Sequence, residues 1–184
     1  YVRTIAACDV AWGGEDWLSM PIVDEYENGD CKLIAWYFKN KADKTVTKPE
    51  VINFIKSYGV TRICFEANNG GDEYADDVAE ELKKDGVECY VESKKAPTNK
   101  SKTDRILNHQ AAIRGSAASK YRLVIPIREG IKGNKMFNDA LNQVFKFNRS
   151  SAKNVKKSQH DDAPDSLANM FANVLGMKGN YGKA

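Results

Sequence analysis

Three largely apolar runs in the first forty residues, each short and rich in strand-forming residues, predict β-strands. The runs are Thr4–Val10, Leu18–Tyr26 and Cys31–Phe38. The last two are joined by a segment containing Asn28-Gly29. Asn-Gly between two strand-like runs favours a hairpin, because the tight turn needs residues with positive φ. The pattern therefore predicts an antiparallel start to the sheet.

Beyond residue 40 the apolar positions recur every three or four residues, which indicates helices. Thr47 and Pro49 suit the start of the first helix, and Gly59 suits its end. Short apolar strands that follow helices imply right-handed crossovers and parallel pairing. The sequence thus predicts an α/β fold with a mixed sheet of five to six strands, the first three antiparallel and the later ones parallel, flanked by helices. The remaining expected elements are strands at Val60–Glu66, Val87–Val91 and Tyr121–Pro126, and helices at Asp72–Asp85, Thr103–Gly115, Met136–Phe145 and from Asp162 to Leu175.

The chain has 184 residues, which fits one domain, expected over residues 1–176 with a flexible Gly-rich tail at 177–184. No apolar run approaches the roughly 18 residues of a membrane span, and no signal peptide is visible. The abrupt strand at residue 1 favours a domain cut from a larger protein. The four cysteines are widely spaced without a CxxC pair, which favours reduced core thiols over a zinc site or disulfides.

The net charge is only +3, but the basic residues are clustered. The segments 92–105 and 146–160 are rich in lysine and arginine, and the second contains no acid before residue 160. Basic clusters in a nearly neutral protein favour a polyanionic partner, although each alone also fits a solvated loop.

Two acids stand at the ends of apolar strands. Asp9 follows Ala6-Ala7-Cys8, and Glu66 ends Ile63-Cys64-Phe65 just before Asn68-Asn69-Gly70-Gly71. Open α/β sheets place their sites at strand ends, and a carboxylate there is costly unless it is paired or bound to a cation. The alternative for each acid is a structural role, in which its carboxylate bonds to loop amides or to an arginine.

A third acidic group opens the last helix, in His160-Asp161-Asp162-Ala163-Pro164-Asp165. Helix capping and the helix dipole explain one or two of these acids, but not three within five residues beside a histidine. Spacings of three and four residues allow two carboxylates to face one point, where a divalent cation would fit. Two acids at strand ends together with an acidic helix start are typical of a two-metal phosphodiester hydrolase. His160 is a candidate for proton transfer or substrate contact, whereas a surface or packing role is expected for His109.

Four segments in order resemble the nuclease domain of the large terminase subunit of tailed double-stranded DNA bacteriophages, a member of the ribonuclease H-like superfamily. They are Cys8-Asp9-Val10-Ala11 leading into Gly13-Gly14, Phe65-Glu66-Ala67-Asn68-Asn69-Gly70-Gly71, Lys102-Thr103-Asp104-Arg105-Ile106, and residues 160–168. The resemblance covers nearly the whole chain. It implies a ribonuclease H-like fold and a DNA endonuclease that uses two Mg²⁺ or Mn²⁺ ions.

By this resemblance Asp9, Glu66 and Asp165 would be catalytic metal ligands, with Asp162 a further candidate at the same helix start. Asp161 and His160 would be auxiliary. The basic residues would contact DNA phosphates, which position DNA without reading its sequence. These residues are Lys94, Lys95, Lys100, Lys102, Arg105, Lys153, Lys156 and Lys157.

The resemblance further implies double-stranded DNA as the substrate, concatemeric viral DNA as its source and the cytoplasm of the bacterial host as the location. In the whole subunit an ATPase domain, the small terminase subunit and the portal would be partners. The chain itself lacks a GxxxxGK[ST] phosphate loop. A resolvase-like nuclease acting on branched DNA, a non-catalytic DNA-binding module of the same fold and an actin-like phosphotransferase stay open as alternatives.

Overall fold

The computed structural model describes residues 1–11, 15–126, 133–147 and 160–178. The predicted basic loop at 148–159, with Lys153, Lys156 and Lys157, lies outside these ranges. The strands are β1 (Arg3–Cys8), β2 (Trp17–Glu25), β3 (Asp30–Asn40), β4 (Arg62–Glu66), β5 (Tyr90–Lys94) and β6 (Arg122–Val124). The helices are α1 (Lys44–Tyr58), α2 (Gly71–Lys84), α3 (Lys102–Asn108), α4 (Gln110–Ile113), α5 (Lys135–Lys146) and α6 (Asp162–Asn169), which continues as a π-helical turn over Met170–Val174.

The six strands form one sheet in the order β5-β4-β1-β2-β3-β6. The first three strands pair antiparallel, whereas β4 joins β1, β5 joins β4 and β6 joins β3 in parallel. This confirms the predicted mixed sheet, and it places the carboxyl ends of β1 and β4 side by side. None of the helices in the described ranges is both long enough and apolar enough to cross a bilayer.

Apolar side chains cover both faces of the sheet. On one face α5 and α6 pack through residues such as Phe137, Leu167 and Phe171. On the other, α1 and α2 pack through residues such as Ile55 and Val78. Burial on both faces explains why the strand residues at the centre of the sheet are apolar with little alternation.

Two predicted starts of elements and one predicted continuous helix were wrong. Helix α1 begins at Lys44, not near Thr47, because the Asp43 carboxylate caps it by accepting the Thr45 N–H at 2.8 Å. Strand β5 begins at Tyr90 rather than Val87, because the Val87 N–H still bonds the Leu82 carbonyl at the end of α2, at 2.9 Å.

The third difference is a break at His109, where a single helix was predicted. Ile106 and Ala112 on either side of the break are both buried. Residues six apart on a straight α-helix point in different directions, so the break lets both side chains reach the interior.

Candidate active site

The two strand acids lie on neighbouring strands. Cys8 and Phe65 are register partners in the parallel β1–β4 pair, so Asp9 and Glu66, one residue further along each strand, lie beside each other. The Asp9 backbone is fixed by two hydrogen bonds of 3.0 Å to Ser19 on β2. The Glu66 carboxylate accepts a hydrogen bond from the Asn68 side chain at 2.9 Å.

The acids of α6 are held against the same end of the sheet. Ser166 bonds the Ser19 hydroxyl at 2.8 Å, and Ser19 also accepts the Trp36 indole N–H at 3.0 Å. This fully buried network fixes the start of α6 on β2. Asp165 is 2% exposed and Asp162 is 7% exposed, so both carboxylates face the interior of the site rather than solvent.

Lys102, the first residue of α3, places its ammonium group among four of the carboxylates. Its Nζ atom lies 2.8 Å from Asp162, 3.1 Å from Asp161, 3.7 Å from Asp165 and 3.8 Å from Asp9. One side chain thus carries the positive charge for acids that come from two different elements.

Arg105, one turn further along α3, is the second cation of the site. Its guanidinium donates to both oxygens of Asp165, at 2.6 and 3.3 Å, and lies 3.6 Å from Glu66. A two-point contact of this kind fixes the orientation of the carboxylate plane. Asp165 is therefore held by Arg105, and the N-cap residue of α6 is Asp161, whose side chain makes no capping hydrogen bond.

Burial and mutual repulsion perturb the charges of the cluster. Burial raises the pKa of Asp9 to about 8; Lys102 opposes this rise, and the neighbouring acids reinforce it. Burial likewise raises the pKa of Asp165 to about 6, against the effect of Lys102 and Arg105. For Lys102, burial acts to lower the pKa, but Asp162, Asp9 and the other acids outweigh it and raise the pKa. The cluster therefore needs positive charge to keep its acids ionised.

The donor atoms of the site suit a hard divalent cation. The carboxylates of Asp9, Glu66, Asp161, Asp162 and Asp165 supply oxygen, which Mg²⁺ and Mn²⁺ prefer, and no cysteine contributes. In the described part of the chain no three such side chains are arranged to hold an ion. The Lys102 ammonium lies among four of these carboxylates instead, those of Asp9, Asp161, Asp162 and Asp165.

His160 lies at the edge of the cluster. Its Nδ1 atom is 4.0 Å from Asp162, and its ring contacts the edge of Trp17, with ring centroids 6.4 Å apart. The backbone N–H of Trp17 also donates to Asp162, at 3.2 Å. Trp17 thus orders both Asp162 and His160 from the start of β2.

The structure brings together the five predicted acids and His160. The predicted DNA-binding residues within the described ranges fall into two groups, those with partners inside the protein and those in the loop after β5. Lys102 and Arg105 face carboxylates, and Lys94 donates to the Asn173 carbonyl at 3.1 Å. Lys95 is exposed in the loop after β5, and Lys100 lies in the same loop.

Sequence reasoning missed the supporting residues Trp17, Ser19 and Ser166. A signal was present for the serines, because Ser19 interrupts an apolar strand and Ser166 an apolar helix face. A buried hydroxyl in such a place needs a partner.

Two solved structures illustrate the similarity to known proteins. The nuclease domain of the large terminase subunit of bacterial virus Sf6 has a TM-score of 0.59 and 12% identity, over 90% of this chain and 86% of that chain. The large terminase nuclease from thermophilic phage G20c, with bound magnesium, has a TM-score of 0.57 and 17% identity, over 93% of this chain and 81% of that chain. At these identities the likeness shows the ribonuclease H-like fold. No curated protein is significantly similar to this chain in sequence.

The sequence itself also matches a family. The match runs over residues 6–173, which include both strand acids, α3 and the acidic start of α6, and the family is described as the terminase RNaseH-like domain. A match over that much of the chain shows that the protein belongs to the terminase RNaseH-like domain family.

Proposed function

We propose that this chain is a divalent-metal-dependent endonuclease that cuts concatemeric double-stranded viral DNA during genome packaging. The observation that carries the proposal is the convergence of Asp9, Asp162 and Asp165 on the Lys102 ammonium, with Glu66 beside Asp9 on the neighbouring strand and 3.6 Å from Arg105. Membership of the terminase family supports it, as does the G20c nuclease, whose structures contain magnesium, zinc or cobalt.

Asp9, Glu66 and Asp165 would hold two Mg²⁺ or Mn²⁺ ions, with Asp162 as a further ligand. Bound ions of this kind lower the pKa of an attacking water and stabilise the leaving oxygen of a phosphodiester. The chain has to supply ionised carboxylates in fixed positions. The strand ends fix Asp9 and Glu66, and Arg105 fixes Asp165 through its two-point contact.

Lys102 and a divalent ion would compete for the same carboxylates. The Lys102 ammonium offsets the repulsion among Asp9, Asp162 and Asp165. If these carboxylates held a divalent ion, Lys102 would lie beside the reacting centre, where its ammonium would bind an anionic phosphate group. His160, within 4.0 Å of Asp162, is placed to accept or deliver a proton at the edge of the site.

The substrate and partners follow from the same proposal. Double-stranded DNA is the substrate, and Lys95 and Lys100, in the loop after β5, would contact its phosphates. In the full large subunit an ATPase domain, the small subunit and the portal would complete the packaging machine in the host cytoplasm.

Plasmid cleavage tests this proposal. The domain is incubated with supercoiled plasmid and Mn²⁺ or Mg²⁺, without ATP, and with excess chelator as the control. Metal-dependent conversion to nicked and linear forms is expected, and Asp9→Asn should lower the rate by at least about 100-fold. Asp139→Asn, at a half-buried carboxylate paired with Lys135 on α5, is the matched control and should cut normally. Cutting that persists in chelator would falsify the proposal.

A further inference from the structure

A cavity of about 870 Å³ opens directly beside the acidic cluster. Glu66, Arg105 and Asp165 form one end of its wall, so the cavity and the cluster share side chains. Its volume lies within the range of roughly 300–1,000 Å³ that small-molecule sites have. A ligand in it would therefore lie next to the scissile bond.

Part of the cavity lining is apolar. Ala168, Ala172 and Met177 line it from α6, the π-helical turn and the segment after it, and Pro97 lines it from the loop after β5. Small side chains on one wall leave room for a flat group, and an apolar surface favours a stacked ring over a hydrated ion.

Two buried polar groups in the same wall lack partners. The Nδ1 atom of His109 and the Nδ2 atom of Asn169 make no hydrogen bond within the described part of the chain, although the two residues are only 6% and 8% exposed. The oxygen of Asn169 is occupied, because it accepts the Asn173 side chain at 2.6 Å. A buried polar atom without a partner is costly, so the unpartnered atoms of these two cavity-lining side chains favour a polar ligand that they reach by turning toward the cavity.

Basic side chains supply the third part of the site. Lys94 and Lys178 line the cavity together with Arg105. A ligand with a flat ring, polar ring edges and a phosphate would match all three features. A cavity of this volume has room for a single nucleotide turned out of the helix.

We propose that this cavity receives one unpaired nucleotide of the DNA strand being cut, next to the scissile phosphate. The base lies on Ala172 and Met177, and its polar edge meets Asn169 and His109. The backbone phosphate meets Lys94 or Lys178. This proposal rests on the nuclease function above and adds that cutting involves local opening of the duplex.

A mismatched duplex tests the cavity, because an unpaired base is cheaper to turn out of the stack. The probe is a 30-base-pair duplex with one central mismatch that contains 2-aminopurine, compared with the matched duplex. Binding is measured in low salt with chelator. The wild-type domain should bind the mismatched duplex at least about five-fold more tightly, and 2-aminopurine fluorescence should change on binding. Cutting with Mn²⁺ should fall beside the mismatch.

Cavity-filling variants supply the control. Ala172→Phe and, on the loop wall, Pro97→Phe should each remove the preference for the mismatch. Ala79→Phe, at a half-buried helical alanine that lines a different cavity, should retain it. Melting curves show whether each variant is folded. Because Ala172 and Pro97 lie on different segments of the chain, one variant still tests the cavity if the other fails to fold.

Equal affinities for the two duplexes, or a preference that survives in both cavity variants, would overturn the cavity proposal. If the wild-type domain nevertheless cuts plasmid with Mn²⁺, only the cavity proposal falls. If it neither binds DNA nor cuts plasmid, the nuclease proposal falls with it.

Discussion

At the scale of single residues, the site is governed by where its positive charge lies. The Lys102 ammonium and the Arg105 guanidinium face carboxylates from β1, β4 and the start of α6. The acids of this site were predictable, because carboxylates at apolar strand ends are chemically conspicuous. The role of Lys102 was not, since a lysine in a basic segment has the same sequence signature whether it faces DNA or a buried acid. Only the packing of α3 against α6 distinguishes the two.

Replacing Lys102 by methionine tests this arrangement. Lys102→Met keeps most of the length of the side chain but leaves the carboxylates without this cation, so in chelator the protein should lose about 1–3 kcal/mol of stability. For a chain of this size that is a fall in melting temperature of roughly 2–12 °C. Mn²⁺ should then raise the melting temperature by more than it does in wild type, because the ion no longer displaces an ammonium.

Lys84→Met is the matched control for this variant. Lys84 also contacts two carboxylates, Glu80 and Glu81, but on the exposed face of α2. Its loss should alter the melting temperature by little, and the Mn²⁺ increment should stay at the wild-type value. An equal Mn²⁺ increment in Lys102→Met and wild type would show that Lys102 does not compete with the metal.

At the scale of elements, the sequence predicted which segments are helices and strands better than where they begin. The start of α1 depends on the Asp43 carboxylate, and the start of β5 depends on a hydrogen bond back to α2. Both are local hydrogen bonds that the spacing of apolar residues does not predict. The end of β4 and the start of α2 also lie in very close contact. A Cβ atom added to Gly71 would lie 1.8 Å from the Glu66 carbonyl oxygen, so only glycine allows α2 to begin there.

Gly71→Ala should therefore shift Glu66. The added methyl group has to push the strand end and the helix apart, at a cost of about 1–3 kcal/mol in unfolding free energy. Because Glu66 is a proposed metal ligand, plasmid cleavage should fall by at least about ten-fold even at temperatures where the variant is folded. Gly86→Ala is the control, since Gly86 has positive φ but open space around it. It should lose roughly 1 kcal/mol of stability and retain cleavage. Full activity in folded Gly71→Ala would contradict this account.

At the scale of the whole molecule, the mixed sheet and its flanking helices followed from the order of apolar runs and helix periodicity. The strand order did not, because pairing between β3 and β6, ninety residues apart, depends on tertiary packing that one sequence leaves open. The extent of the DNA-binding surface also stays a prediction. Lys94 and Lys102 have partners within the protein, and the basic segment at 148–159 lies outside the described residues.

Salt dependence of DNA binding measures how much of this basic surface contacts phosphates. If Lys153, Lys156 and Lys157 each neutralise one phosphate, replacing all three by alanine should flatten the slope of log affinity against log salt by up to about 2.7. The loss should be similar for all DNA sequences. Lys84→Ala, on the acidic outer face of α2, should leave the slope unchanged. An unchanged slope in the triple variant would assign this segment to a solvated surface.

Anomalous diffraction from a crystal of the domain soaked in Mn²⁺ tests directly whether these carboxylates form a divalent-metal site. Anomalous peaks are expected within about 2.3 Å of carboxylate oxygens of Asp9, Glu66 and Asp165, with the Lys102 ammonium moved away from its present position among the acids. Soaked crystals that show no peak at the cluster, with Lys102 still 2.8 Å from Asp162, would contradict this expectation.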